Sequence, residues 1–89
     1  MSNDQDPIGK VTDYFWKRNT VRIEVTDGSI QEGQQLHIKG EHTDVTLTTE
    51  DMEVDDEPVD EATAGEIFAM PISPQNRVVL GDKVFPADS

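Results

Sequence analysis

Between residues 20 and 26 the chain alternates without a break, with Val21, Ile23 and Val25 on one side and Arg22, Glu24 and Thr26 on the other. A period of two is the signature of a half-buried strand. Asp27-Gly28 follows directly and predicts a tight turn, because glycine takes positive φ without Cβ strain. Upstream, residues 8–15 read as another strand, with Gly9 near its start. A second turn at Glu32-Gly33 precedes residues 35–39, where Leu36 and Ile38 point inward, His37 and Lys39 point outward, and Gly40 closes the run. Val45 and Leu47 share one face of residues 44–49, but Met52 and Val54 fall on the opposite parity. A strand cannot change faces without an extra residue, so a bulge or bend is predicted between Thr49 and Met52. Pro58 ends that segment or puts it at an edge.

Residues 61–65 are the only stretch with helical propensity and are too short to stand as a helix, so they read as a connecting turn closed by Gly65. Residues 67–72 are apolar on both faces, interrupted by Pro71, and predict a core strand. Residues 73–76 read as a loop. Residues 77–80 and 83–85 read as a last pair of short strands around the turn Gly81-Asp82. Residues 1–7 are polar and aperiodic, a disordered lead-in, and 86–89 are a short tail, which leaves 8–85 as a single domain. Short strands divided by Gly or Pro, with no helix of usable length, describe a small barrel or sandwich. Closure leaves fewer unpaired strand edges, so the fold class is all-β, a barrel.

A chain of 89 residues is too short for a GTPase, kinase or dinucleotide-binding core. No apolar run approaches the roughly 18 residues needed to span a bilayer, and the N-terminus has no signal-peptide pattern. With no cysteine, a cytoplasmic location is the default expectation. Ile, Val, Leu and Phe make up 21 of the 89 residues, so folding is indicated by their alternation more than by their number.

Charge changes this picture. The 19 acids outnumber 7 bases for a net charge of −12. Eleven of those acids, and no base, fall in residues 41–66, whereas residues 8–40 carry a net charge of +1. Such a stretch is either an acidic tail or linker, or a folded surface adapted to salt. Screening shortens from about 10 Å at 0.1 M to about 3 Å at 1 M, so a dense carboxylate surface is strained in dilute buffer and relaxed in brine. Four Lys, eight Thr and more Asp than Glu also resemble the surfaces of halophilic proteins. This face disfavours nucleic acid, whose phosphates it repels.

The glycines carry a resemblance. Gly9-Lys10-Val11, the run Asp27-Gly28 through Ile30 to Gln34, residues 59–65 ending in Gly65, and Gly81-Asp82-Lys83-Val84 follow in order. Together they resemble the G-x-V opening, G-x-[LI]-x-x-G-[DQ] hairpin, V-x-x-A-x-x-G turn and G-D-x-[VL] closure of the second domain of elongation factors such as elongation factor Tu. The match spans roughly residues 8–85 and implies a closed six- or seven-stranded Greek-key barrel. Residues 8–15 and 81–85 equally resemble small stand-alone elongation-factor-like proteins and the barrel at the C-terminus of collagenase-type peptidases. On the physical reading, Gly9, Gly28, Gly33, Gly65 and Gly81 are structural turn glycines, and Ala62 is a small residue under close packing. No G-x-x-x-x-G-K-[ST] occurs, so GTP hydrolysis does not carry over.

No residues recommend themselves for catalysis, and no cofactor, metal site, membrane contact or small-molecule substrate is expected. His37 and His42 are five apart, which puts them on opposite faces of a strand unless Gly40 breaks it; they read as surface histidines. The acids of 50–57 lack calcium-loop spacing. Residues 14–19 stand out, holding the only Tyr and the only Trp, one of three Phe and two of seven bases. Tyr14, Trp16, Lys17 and Arg18, with Arg22 on the next strand, form a basic–aromatic patch suited to stacking or to a partner's apolar surface. The competing reading makes Phe15 core and has Tyr14 and Trp16 cover a barrel end. The sequence thus points to a non-catalytic β-barrel interaction module meeting a protein or ribonucleoprotein. RNA binding in translation and a detached accessory barrel of a peptidase are the alternatives.

Overall fold

The computed structural model describes residues 7–73 and 75–87. Residues 1–6 of the lead-in expected at 1–7, Pro74 of the 73–76 loop and the last two residues of the expected tail lie outside them. Ten short strands follow one another: β1 (Gly9–Phe15), β2 (Thr20–Val25), β3 (Ser29–Gln31), β4 (Gln35–Lys39), β5 (Asp44–Thr48), β6 (Glu53–Val54), β7 (Glu57–Pro58), β8 (Glu61–Thr63), β9 (Ile67–Pro71) and β10 (Lys83–Pro86). Eight form one antiparallel sheet in the order β5-β4-β10-β1-β2-β9-β6-β7, and β3 pairs with β8 in a separate ribbon.

One core fills the interior. Val21, Ile23 and Val25 of β2 and Leu36 and Ile38 of β4 are fully buried, as their alternation predicts. Phe68 and Met70 of β9 face the same interior, and Ala62 sits fully buried opposite Ile30 on the β3–β8 ribbon. Val45 and Leu47 of β5 and Val54 of β6, from opposite flanks of the strand order, pack against this single cluster. The sheet therefore curls around one interior, which is the small all-β barrel of the sequence reading. It has ten strands instead of six or seven because the chain interrupts its ladders. Asp51 takes φ 53° in the break at 49–52, where the change of parity predicts a bend. Asp55 and Asp56, at φ 55° and 66°, form the two-residue turn between β6 and β7. Positive φ at both central positions is the type I′ geometry that suits a twisted hairpin.

Thr49 holds the bend in place. Its buried hydroxyl donates to the Gln31 carbonyl at 2.6 Å and accepts the Gln34 N–H at 3.1 Å. Its main chain exchanges hydrogen bonds of 2.9 Å with Gly33 and Gln34, so the end of β5 is stitched to the β3–β4 turn.

Five local expectations change. Residues 61–63 are strand β8, and only Ala64-Gly65 turn. Residues 77–80 are not a strand: the Val79 N–H donates to the Asp82 carboxylate at 2.8 Å, and the Asp82 N–H returns to the Val79 carbonyl at 3.0 Å. That turn uses the groups a ladder would need. β9 alternates, leaving Ile67 and Pro71 exposed, so it is buried on one face and not on both. Pro86 belongs to β10 opposite Leu36 and not to the tail. Gly9 is not a turn residue. It lies inside β1 and is absent from the positive-φ set that holds Gly28, Gly33, Gly65 and Gly81.

The β4–β5 turn carries one orphan. Thr43 is buried, and among the described residues its hydroxyl has no hydrogen-bond partner. Thr43→Val removes an unsatisfied polar atom at nearly constant shape and is expected to raise unfolding free energy by about 1 kcal/mol. Urea melts of the two proteins measure this, and a loss of stability would show that the hydroxyl is satisfied in solution.

Candidate interaction surface

The β1–β2 hairpin builds the basic–aromatic end of the barrel. Pairing of the two strands slips between Val11 and Asp13, so Thr12 is a bulge. The slip reverses the parity of the rest of β1: Tyr14 turns inward against the core, opposite Val21, and Phe15 turns outward opposite Thr20. Phe15 is thus 37% exposed and not a core residue. The turn that follows is closed by the Arg18 N–H on the Phe15 carbonyl at 2.9 Å, with Asn19 in the left-handed region at φ 52°. Trp16 protrudes from it, 65% exposed.

Two cations rest on these rings. Lys17 Nζ lies 5.3 Å from the centroid of Trp16, and the Arg22 guanidinium lies 5.3 Å from that of Phe15. Both are within cation–π reach. Among the described residues the ion pairs within 4 Å are Lys10–Glu24 and His37–Asp44, so Lys17, Arg18 and Arg22 have no carboxylate partner at that distance.

The Asn19 carbonyl accepts the Ile72 N–H at 2.8 Å and draws the segment after β9 toward the hairpin. Tyr14, Trp16, Asn19 and Arg77 consequently line one cleft of about 430 Å³. The structure therefore unites Tyr14 and Trp16 with two residues that the sequence reading did not nominate. Arg22 stands apart on the outer face of the sheet over Phe15. Nothing local marks Arg77, which arrives from a distant loop; among the sequence signals, only the scarcity of bases in this chain bore on it.

A second cleft, about 650 Å³, begins at the next residue, Thr20. Glu32, Asp51, Glu53 and Asp60 line it along with Ala69 and Pro71, and it has no basic residue. The two clefts give neighbouring parts of the surface opposite sign. Among the described residues no three His, Asp or Glu gather as a metal-holding group, and no helix is long and apolar enough to cross a membrane.

His37 and His42 are separated by the end of β4 at Gly40, as the sequence allows. His37 Nε2 meets Asp44 Oδ1 at 2.5 Å across the β4–β5 ladder, while His42 is exposed in the turn. That hydrogen bond, opposed by desolvation and aided by the charges of His37 and Lys39, holds the Asp44 carboxyl below its ordinary value of 3.8. A depressed carboxylate contributes stability above its unfolded pKa and loses it as pH falls through the folded one. The urea midpoints of wild type and Asp44→Asn are therefore expected to differ at pH 5 and to converge in acid, once the pH has fallen through the lowered Asp44 value. A gap that persists in acid would show that the pairing is not what Asp44 contributes.

No protein family matches the chain, and no curated protein sequence does. Among solved structures it is similar to the C-terminal domain of a U32 peptidase from Geobacillus thermoleovorans, with a TM-score of 0.83 at 13% identity, over 93% of each chain. At that identity the likeness is one of fold, and the fold that this barrel shares is that of a peptidase's C-terminal domain.

Proposed function

We propose that this chain is a non-catalytic interaction module, an accessory barrel of the kind carried at the C-terminus of collagenase-type peptidases. One observation supports this above the others: the similarity to the U32 peptidase domain extends over 93% of both chains. The likeness in fold thus runs over nearly all of that solved domain, which supports the accessory-barrel reading. The translation-factor reading rests on the glycine spacing alone. The exposed aromatic and basic side chains of the β1–β2 hairpin supply the contact surface, since Trp, Tyr and Arg dominate binding energy at interfaces.

Affinity capture of the tagged chain from its own cells in molar salt tests this, with the recovered proteins identified by mass spectrometry. The expected result is a U32-type peptidase chain whose recovery survives RNase. RNase-sensitive recovery of ribosomal or translation components would overturn it in favour of the translation reading. Trp16→Ala is expected to abolish capture while changing stability by less than about 0.5 kcal/mol, because Trp16 protrudes into solvent. A large loss of thermal stability with capture intact would instead make Trp16 a covering residue.

A further inference from the structure

We infer that the cleft between Tyr14, Trp16, Asn19 and Arg77 docks a short acidic segment of a protein partner. A carboxylate of that segment lies on the Arg77 guanidinium, and an adjacent apolar side chain lies against Trp16 and Tyr14. This rests on the interaction-module reading and names the chemistry of the partner.

The first support is the lining. In a chain with 19 acids and 7 bases, this cleft has a guanidinium, an amide and two aromatic rings around it and no carboxylate. Arg77 is paired with no acid within 4 Å among the described residues. A guanidinium offers a planar fork that matches a carboxylate in two hydrogen bonds. Lys17, over the Trp16 ring, adds positive potential beside the cleft without lining it, and Arg18 belongs to the same turn. The volume of about 430 Å³ admits one or two side chains and not a folded surface.

The second support is the neighbourhood, which selects the class of anion. Asn19 lines this cleft, and the following residue, Thr20, lines the acidic one with Asp51, Glu53 and Asp60. A nucleic acid carries a phosphate at every nucleotide, so a strand leaving the basic cleft runs onto repelling carboxylates. A protein segment can carry one or two acids at the anchor and none beyond it. The juxtaposition of a small cationic cleft and a larger anionic one thus favours a short acidic peptide over a polyanion.

Trp16 is the only tryptophan, so its emission reports occupancy directly. The probe is the blocked tetrapeptide Glu-Leu-Glu-Leu, titrated into the full chain at moderate salt beside its neutral analogue Gln-Leu-Gln-Leu and a tetrauridylate. A saturable shift of Trp16 emission is expected with the acidic peptide alone. Arg77→Gln should weaken it about tenfold, the loss of one charge-assisted pair, with Arg77→Lys in between. Lys83→Gln changes net charge equally at a residue that does not line the cleft and should alter binding by less than about twofold.

Equal binding of the neutral peptide, equal effects of Arg77→Gln and Lys83→Gln, tighter binding of the tetrauridylate, or no shift at all would each overturn the inference. So would an emission change with protein concentration in the absence of probe, which would give the cleft to a second copy. Urea melts confirm that each variant folds. Capture of a peptidase that is indifferent to Arg77→Gln would refute this inference and leave the accessory-barrel reading standing. Peptide binding without peptidase capture would do the reverse.

Discussion

Gly9→Ala is expected to lower the melting temperature by about 10 °C, the result of roughly 2 kcal/mol of overpacking in a domain of this size. A Cβ built on Gly9 would stand 2.7 Å from the Glu24 carbonyl oxygen and 3.1 Å from Cγ2 of Ile23. The first of these is main chain, and it belongs to β2, which is hydrogen-bonded to β1 on one side and β9 on the other. A flexible side chain could rotate away, but this carbonyl can move only if two ladders move with it. Gly9 also faces Val84 of β10 and so sits where three strands are joined. The comparison to make is Gly28→Ala. There a Cβ meets nothing within 4 Å, and the cost is only the backbone strain at φ +69°, about 1 kcal/mol. Thermal melts of the two variants should therefore rank Gly9→Ala as the more damaging. The reverse order would show that β1 and β2 separate easily at this point.

The contrast between these glycines also shows which parts of the structure can be read from residues in a row. The bend at 49–52 is legible because apolar residues lie on both sides of it: Val45 and Leu47 set one parity, Met52 and Val54 the other. The bulge at Thr12 is the same device in β1, yet it is silent, since the residues that slip are the polar pair Thr12 and Asp13. Odd-numbered Val11 and Phe15 then look like one face, and Phe15 is misplaced in the core. β8 is equally silent. Ala62 is the single apolar residue of Glu61–Thr63 and defines no period until Ile30 pairs with it across the ribbon. At residues 78–80 the opposite error arises, because three apolar residues imitate a strand while the Asp82 carboxylate takes the Val79 donor. The interaction surface divides along the same line. Its hairpin half is a contiguous run of aromatic and basic residues and can be found by eye, whereas Arg77 joins it through the Asn19–Ile72 hydrogen bond, a contact that no local pattern encodes.

Salt should move stability even more than Gly9→Ala does. Of the eleven acids in residues 41–66, the eight between Glu50 and Glu61 are all exposed. They sit on the least reinforced part of the barrel, where β6 and β7 have two residues each and β7 ends the sheet. Two carboxylates about 7 Å apart repel by about 0.6 kcal/mol in unscreened water, roughly half of that at 0.1 M and almost none at 1 M. Several such pairs act together in the folded chain, and unfolding spreads them apart. The melting temperature is therefore expected to rise by more than about 10 °C between 0.1 and 2 M NaCl, with the transition broadening toward the low-salt end. High salt also strengthens apolar burial, so the two causes need separating. Asp55→Asn, Asp56→Asn and Glu57→Gln combined remove three charges at the β6–β7 turn. If repulsion is the cause, the triple variant is already stable at 0.1 M and loses most of the rise up to about 1 M, where screening is complete, while keeping any slope above it. A variant that tracks the wild type across the whole range would assign the effect to burial, and a wild-type melting temperature that stays flat would show that the barrel withstands its own charge without help from the solvent.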